Sequence, residues 1–230
     1  MSPLLPLLLA SIAACGVREQ EQLDLAQAST ETTFATAEQL GPHRSLTSIR
    51  RTDRREGQPE RTVDEVVEIA WADWDNFQVR RLVDGEAARE TIVAGGRVWV
   101  RSGETWSARE DAEPHRMQLR TTWDTWDQSL GPMRDHLRLV PEAKDIVEGR
   151  PAMRYRLELL PEAEAPRVRS SGWQPRSIQG TAWLDEATAL HIKAELVAVT
   201  ERKGVTRTLA YTLQRAGFGE DPGISPPPGQ

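Results

Sequence analysis

The most reactive side chain of this 230-residue sequence is the thiol of Cys15, its only cysteine. One cysteine cannot form an internal disulfide, and the four histidines are scattered without the spacing of a zinc site. The thiol follows an uncharged, leucine-rich run over residues 4–14, and acidic, glutamine-rich sequence begins directly after it. A run of this length is typical of a signal peptide and is far short of the ~20 apolar residues that span a bilayer. The thiol therefore lies at the boundary between a predicted signal peptide and the polar sequence that follows it.

The residues before Cys15 are Ile12, Ala13 and Ala14, and they resemble the bacterial lipobox. This resemblance implies that residues 1–14 are a lipoprotein signal peptide and that Cys15 carries a covalent diacylglyceryl anchor, with a further acyl chain on its amine. Two acyl chains anchor a protein stably, whereas one gives marginal binding. Because Gly16 follows the cysteine, the resemblance also implies outer-membrane attachment, facing the periplasm or the cell surface. The alternative is a cytosolic protein with a buried free cysteine.

Charge and motifs exclude several classes of function. The net charge of -6 argues against a nucleic-acid partner, because phosphate binding needs a clustered positive field. The sequence contains no GxSxG, HExxH, P-loop or Rossmann glycine pattern. Asp124 and Asp127 flank the helical tryptophans, and Asp135 precedes His136. Acidic residues there are typical of the solvated face of an amphipathic helix. The sequence therefore predicts a protein without enzymatic activity, metal or cofactor, apart from the acyl anchor on Cys15.

Composition divides the mature chain into three parts. Residues 15–43 are rich in Glu, Gln, Ala, Ser and Thr, and are predicted to be a flexible, lipid-anchored tether. Residues 217–230 are rich in Gly and Pro and are predicted to be a disordered tail. The folded domain is predicted to occupy residues 44–216.

Within the domain, apolar and polar residues alternate with period two, which predicts a mainly β fold. Clear examples are residues 153–159, 205–213 and 190–196, the last with His191 on the polar face. Short links such as Asp84-Gly85 and Lys203-Gly204 are typical of hairpins, so that neighbouring strands are antiparallel. We expect about nine or more strands, joined as a meander with one buried face.

One segment has helical spacing instead. Its apolar residues recur at i, i+4, i+7 and i+11, and they are Leu119, Trp123, Trp126 and Leu130. Gly131-Pro132 ends this helix, and Met133 and Leu137 suggest a short second helix. The sheet is therefore predicted to carry a mid-chain helical insertion.

Three hairpins behind a lipobox carry a further resemblance. They cover residues 90–103, 147–159 and 180–196, and the last contains the turn Trp183-Leu184-Asp185. The domain over residues 44–216 resembles the LolA/LolB-like unclosed β-barrel of bacterial lipoproteins, a half-barrel shared by LppX/LprG-type lipid carriers and RseB-type sensors. The resemblance implies an antiparallel half-barrel whose concave face is covered by the helical insertion.

In that superfamily the concave face and the helices enclose an apolar cavity. The resemblance thus implies an envelope lipoprotein that binds or carries lipid or lipoprotein acyl chains at the outer membrane. The residues expected to line the cavity are Trp71, Trp99, Leu119, Trp123, Trp126, Leu130, Met133 and Tyr155. The alternative is a non-catalytic envelope interaction or stress-sensing module, with a protein partner and without bound lipid. The sequence leaves both open, because the cavity volume depends on how deeply Trp123 and Trp126 insert.

Overall fold

The computed structural model describes residues 37–111, 113–123, 125–131, 133–161 and 172–229. The predicted signal peptide, Cys15 and most of the predicted tether lie outside these residues. Eleven strands form one antiparallel sheet. They are β1 (His43–Arg55), β2 (Arg61–Asp73), β3 (Asn76–Val83), β4 (Glu86–Ala94), β5 (Arg97–Ser102), β6 (Thr105–Arg109), β7 (Leu137–Val147), β8 (Arg150–Leu159), β9 (Gln174–Asp185), β10 (His191–Arg202) and β11 (Val205–Ala216).

The order of the strands in the sheet is β6-β5-β4-β3-β2-β1-β11-β10-β9-β8-β7. The two outermost strands, β6 and β7, are not paired with each other, so the barrel is unclosed, and the predicted antiparallel half-barrel is confirmed. The order differs from a single meander, because the sheet consists of two meanders that join where β1 pairs with β11. The chain crosses from the β6 edge to the β7 edge through the helical insertion.

The insertion consists of two short helices, α1 (Glu113–Trp123) and α2 (Thr125–Leu130), followed by a 3-10 turn at Arg134–His136. The predicted apolar stripe is present and faces the sheet, because Leu119, Trp123, Trp126 and Leu130 are all buried. Burying two tryptophans stabilises the fold by several kcal/mol, at ~25 cal/mol per Å² and ~150–250 Å² for each. In the described part of the chain, neither helix has the length and apolar character needed to span a membrane.

The apolar face of the sheet packs against the two helices in two clusters. The α1 cluster surrounds Leu119 and Trp123, and its strand residues include Val67, Ile69, Trp71, Phe77, Val93 and Val98. The α2 cluster surrounds Trp126, Leu130 and Met133, and its strand residues include Ile49, Tyr155, Leu157, Leu196, Leu209, Tyr211 and Leu213. Period-two alternation along the strands brings these side chains to one face.

The turn after β9, which carries part of the family resemblance, is fixed by the carboxylate of Asp185. The Arg150 guanidinium donates two hydrogen bonds to it at 2.7 and 3.1 Å. The backbone N–H and the hydroxyl of Thr188 donate two more, at 3.0 and 2.8 Å. Burial alone would raise the pKa of Asp185, but these donors outweigh it and lower the pKa.

Both ends of the domain extend beyond the predicted boundaries. Leu40 belongs to the α1 cluster, and β1 begins at His43. After β11, the ring of Phe218 stacks on that of His43 at 5.9 Å, and Arg44 donates a hydrogen bond to the carbonyl of Pro222 at 2.5 Å. The first part of the predicted tail is therefore packed on the domain, because an aromatic ring within the Gly/Pro-rich segment has a buried surface to cover.

Candidate ligand-binding site beneath the helical insertion

The two central strands present several polar side chains to the helices, in addition to Ile49, Leu209 and Leu213 of the α2 cluster. On β1, the residues His43, Ser45 and Thr47 alternate toward the helices and are buried. On β11, Tyr211 and Arg215 face the same space and are also buried. The centre of the concave face therefore carries a strip of polar side chains, which is bordered on the same strands by apolar residues of the α2 cluster.

Helix α2 is attached to this strip by an aromatic stack and two hydrogen bonds. The ring of Trp126 stacks on that of His191, with 4.2 Å between centroids, and meets Tyr211 edge-on at 5.8 Å. The Thr125 hydroxyl lies within hydrogen-bond distance of Thr47 Oγ1, at 3.1 Å, and of the Tyr211 hydroxyl, at 2.9 Å. These contacts fix the start of α2 over β1 and β11.

Helix α1 is attached through Trp123. The guanidinium carbon of Arg215 lies 3.9 Å from the centroid of the Trp123 ring, which is a cation–π contact. The same guanidinium donates a hydrogen bond to the carbonyl of His191. His43 meets Trp123 edge-on, with 6.1 Å between centroids. A buried cation thus lies under the junction of the two helices.

Three buried nitrogens in this space have no hydrogen-bond partner among the residues that the structure describes: His43 Nε2, His191 Nε2 and Trp123 Nε1. Leaving a buried donor or acceptor unpaired costs ~1–3 kcal/mol, and most buried polar atoms in folded proteins are paired. The three atoms lie within or beside clusters that are otherwise apolar. The interior under the helices therefore has the polar capacity to bind a ligand group.

Both histidines are neutral at pH 7. Burial, followed by the charge of Arg215, lowers the pKa of His43 to about 4 and that of His191 to about 3. For His43, a hydrogen bond to the carbonyl of Gly41, at 2.8 Å from Nδ1, acts in the opposite direction. Since Nδ1 carries the proton in that bond, Nε2 of His43 is a buried acceptor.

Two clefts open beside the helices. The α1 cleft, of about 250 Å³, lies between α1 and strands β3 and β4, with Phe77, Val79 and Leu119 at its apolar floor. Its polar side chains are those of Arg81, Arg89, Thr91, His115, Gln118 and Thr122. The α2 cleft, of about 220 Å³, is lined by Met133 and Leu209 together with Arg51, Gln128, Ser129, Trp173, Thr200 and Arg207. Each cleft connects solvent with one of the two clusters.

The structure brings seven of the eight predicted lining residues to this interior. Trp71, Leu119 and Trp123 belong to the α1 cluster, and Trp126, Leu130, Met133 and Tyr155 belong to the α2 cluster. Trp99 is buried, but Val98 and Val100, its neighbours on β5, are the residues that contact the α1 cluster. Since side chains alternate along a strand, Trp99 lies on the opposite face of the sheet.

Sequence reasoning missed His43, His191 and Arg215. The alternation along residues 205–213 continues to Arg215, so this signal was sufficient to place its side chain inside. His191 was assigned to the polar face of its strand, and this was wrong. A register shift between His191 and Lys193, where β10 pairs with β9, lets His191 reach Trp126. Across the described ranges, no group of three His, Cys, Asp or Glu could hold a metal ion.

Comparison with solved structures returns matches at low sequence identity. MucB in complex with MucA(peri) matches with a TM-score of 0.37 and 18% identity, over 89% of this chain and 59% of that chain. The Mycobacterium tuberculosis lipoprotein LppX matches with a TM-score of 0.30 and 13% identity, over 84% and 94% of the two chains. A LolA superfamily protein from Nitrosomonas europaea matches with a TM-score of 0.26 and 12% identity, over 82% and 92%.

The unclosed antiparallel half-barrel with a mid-chain helical insertion, expected from the sequence, is present in the structure itself. The chain spans 59% of the length of the MucB chain that it matches. No protein-family model matches the sequence, and no curated protein matches it at a significant level.

Proposed function

We propose that this protein binds the acyl chain of a lipid or lipoprotein between its sheet and its helical insertion, at the bacterial outer membrane. The observation that carries the proposal is the set of unpaired nitrogens of His43, His191 and Trp123 beneath the helices. If this interior served only to stabilise the fold, the free-energy cost of the unpaired nitrogens would remain uncompensated. A ligand with an ester or head-group oxygen gives Trp123 Nε1 an acceptor while its chain occupies the apolar clusters.

The helices have the properties of a movable cover. They contain 11 and 6 residues, and isolated helices of that length are marginal in water. Their position therefore depends on the side-chain contacts of Trp123, Trp126 and Thr125 with the sheet. Acyl chains that replace the tryptophan contacts preserve the burial of apolar surface, so opening has a limited cost.

Mass spectrometry tests the proposal directly. The protein is purified from a membrane-containing bacterial host, and its native and denaturing spectra are compared. We expect an added lipid mass in the native spectrum that is lost on denaturation, because the ligand is not covalent. A native mass without lipid, together with no binding of a fluorescent fatty acid, would contradict acyl-chain binding.

A second candidate is a non-catalytic interaction or stress-sensing module with a protein partner in the envelope. The observation that favours it is the burial of Trp123 and Trp126, which are 2% and 8% exposed, by the protein's own side chains. In that case the helices fill the concave face permanently. The native spectrum described above distinguishes the two functions, because only the first retains lipid.

Attachment to the membrane through Cys15 is the part of the proposal that a single substitution tests. We expect the wild-type chain to incorporate labelled palmitate and to fractionate with outer membranes. Cys15→Ser removes the sulfur, so the label should be lost and an uncleaved or soluble form should accumulate. Incorporation of label by Cys15→Ser, or its absence from the wild type, would show that the lipobox interpretation is wrong.

A further inference from the structure

We propose that the α1 cleft binds an anionic amphiphile, with its carboxylate or phosphate held by Arg89 and His115 and its chain on Phe77, Val79 and Leu119. This inference rests on the proposed acyl-chain binding and adds the position and charge of the head group.

The register of β3 and β4 creates a gradient from apolar to cationic along the cleft. Phe77 lies opposite Val93, Val79 lies opposite Thr91, and Arg81 lies opposite Arg89. These positions are two residues apart on each strand, so their side chains point to the same face. The inner end of the cleft is therefore apolar and belongs to the α1 cluster, whereas its mouth carries two guanidinium groups.

Of the two arginines at the mouth, only Arg81 forms an ion pair with a carboxylate of the described residues. Like charges directly opposite each other on a sheet are unfavourable. Arg81 forms an ion pair with Glu65 at 2.8 Å, but Glu65 is shared with Arg51 at 3.0 Å. Arg89 forms no ion pair with any residue in the described part of the chain. One carboxylate thus serves two arginines, and Arg89, which is solvent-exposed, has no carboxylate within ion-pair distance among these residues.

Helix α1 completes the mouth with His115. Its Nδ1 atom is buried and has no hydrogen-bond partner among the residues that the structure describes. Burial lowers the pKa of His115, and the charges of Arg89 and Arg109 lower it further, while Asp111 acts in the opposite direction. An anion between Arg89 and His115 would supply a charge partner for the first and a hydrogen-bond acceptor for the second.

The chemistry of the cleft selects the class of ligand. A neutral lipid covers the apolar floor of the cleft but gives Arg89 no anionic partner. A small anion pairs with Arg89 but leaves Phe77 and Leu119 uncovered. A molecule with one negative group and an apolar chain matches both ends. The volume of about 250 Å³ suits part of a single chain, whose remainder reaches the α1 cluster when α1 moves.

The test compares three probes below their critical micelle concentrations: laurate, its neutral methyl ester and dodecyl phosphate. Their affinities are measured at pH 8 by displacement of a fluorescent fatty acid from wild-type protein, Arg89→Gln and His115→Gln. We expect the wild type to bind both anionic probes at least ~10-fold more tightly than the ester. Arg89→Gln should weaken the anionic probes by ~10- to 100-fold, the range for one charge-assisted hydrogen bond, and leave the ester unchanged.

The matched control is Arg97→Gln, which removes an exposed arginine at the start of β5, outside the cleft. It should change none of the affinities, and urea unfolding should show that all variants are folded. Equal binding of laurate and methyl laurate by the wild type would overturn the anionic site while leaving acyl-chain binding intact. Binding of none of the probes would overturn both. If inorganic phosphate competes as well as dodecyl phosphate, the cleft is a site for free anions. This result would overturn the proposal that its ligand is an amphiphile.

Discussion

Acidification from pH 7.5 to pH 4.5 should lower the free energy of unfolding by several kcal/mol. His43 and His191 have folded-state pKa values of about 4 and about 3, below the ordinary value of 6.5. Between these values the unfolded chain binds more protons than the folded chain, so acid favours unfolding. The stabilisation is complete above pH 6.5 and is lost as the pH falls toward the folded pKa values, at ~1.4 kcal/mol per pH unit for each histidine. Urea titrations at several pH values measure this slope.

The control for this prediction separates the contribution of the histidines to the pH dependence of unfolding from that of the carboxylates. The pKa values of Asp53 and Asp185 are lowered, so their contribution is lost only as the pH falls through their folded-state values, below the ordinary 3.8. The interval between pH 6.5 and 4.5 therefore reports mainly on histidines. The double variant His43→Gln/His191→Gln should have a much flatter profile in this interval. An unchanged slope in the double variant would contradict the burial of both rings.

Truncation of Trp126 should destabilise the protein by ~3–5 kcal/mol, the usual cost of removing a large buried aromatic side chain. The substitution Trp126→Ala removes the stack on His191 and the edge contact with Tyr211, and leaves a void between α2 and the sheet. Urea unfolding measures the change. Trp106→Ala, on the edge strand β6, is the matched control and should cost much less, because Trp106 is only half-buried. A cost below ~1 kcal/mol for Trp126→Ala would show that α2 is not packed on the sheet in solution.

Local patterns in the sequence predict most of the secondary structure. The apolar stripe is divided between two helices, however, and Leu137, expected in a short second helix, begins β7. The alternation over residues 205–213 predicts β11, and the helical spacing of Leu119, Trp123 and Trp126 predicts the insertion. Both patterns are formed by residues that are close in sequence, and both arise because one face of the strand or helix is buried. The pairing of β1 with β11 has no such signal, because it joins residues from opposite ends of the domain and both strands accept any antiparallel neighbour.

Sequence reasoning misplaced three residues at the candidate site, and each error has its own cause. Val98, Trp99 and Val100 are all apolar, so period two alone does not indicate which face of β5 is inward. His43 follows a polar segment and was assigned to the tether, since nothing near it shows that Phe218 will cover it. His191 depends on an irregularity of backbone pairing that its own residue type does not encode. In each case the missing information is tertiary.

The central position of β1 and β11 determines the order in which this sheet can be completed. The two meanders consist of hairpins between sequence neighbours, whose loops close quickly. The pairing of β1 with β11, in contrast, joins the first strand of the sheet to the last. Contacts of such high sequence separation slow folding. Until β11 is synthesised, β1 has a free edge, and the interior under the helices lacks Tyr211 and Arg215. We therefore expect the two meanders to form structure first. Helices α1 and α2 should pack on the sheet only after β1 has paired with β11.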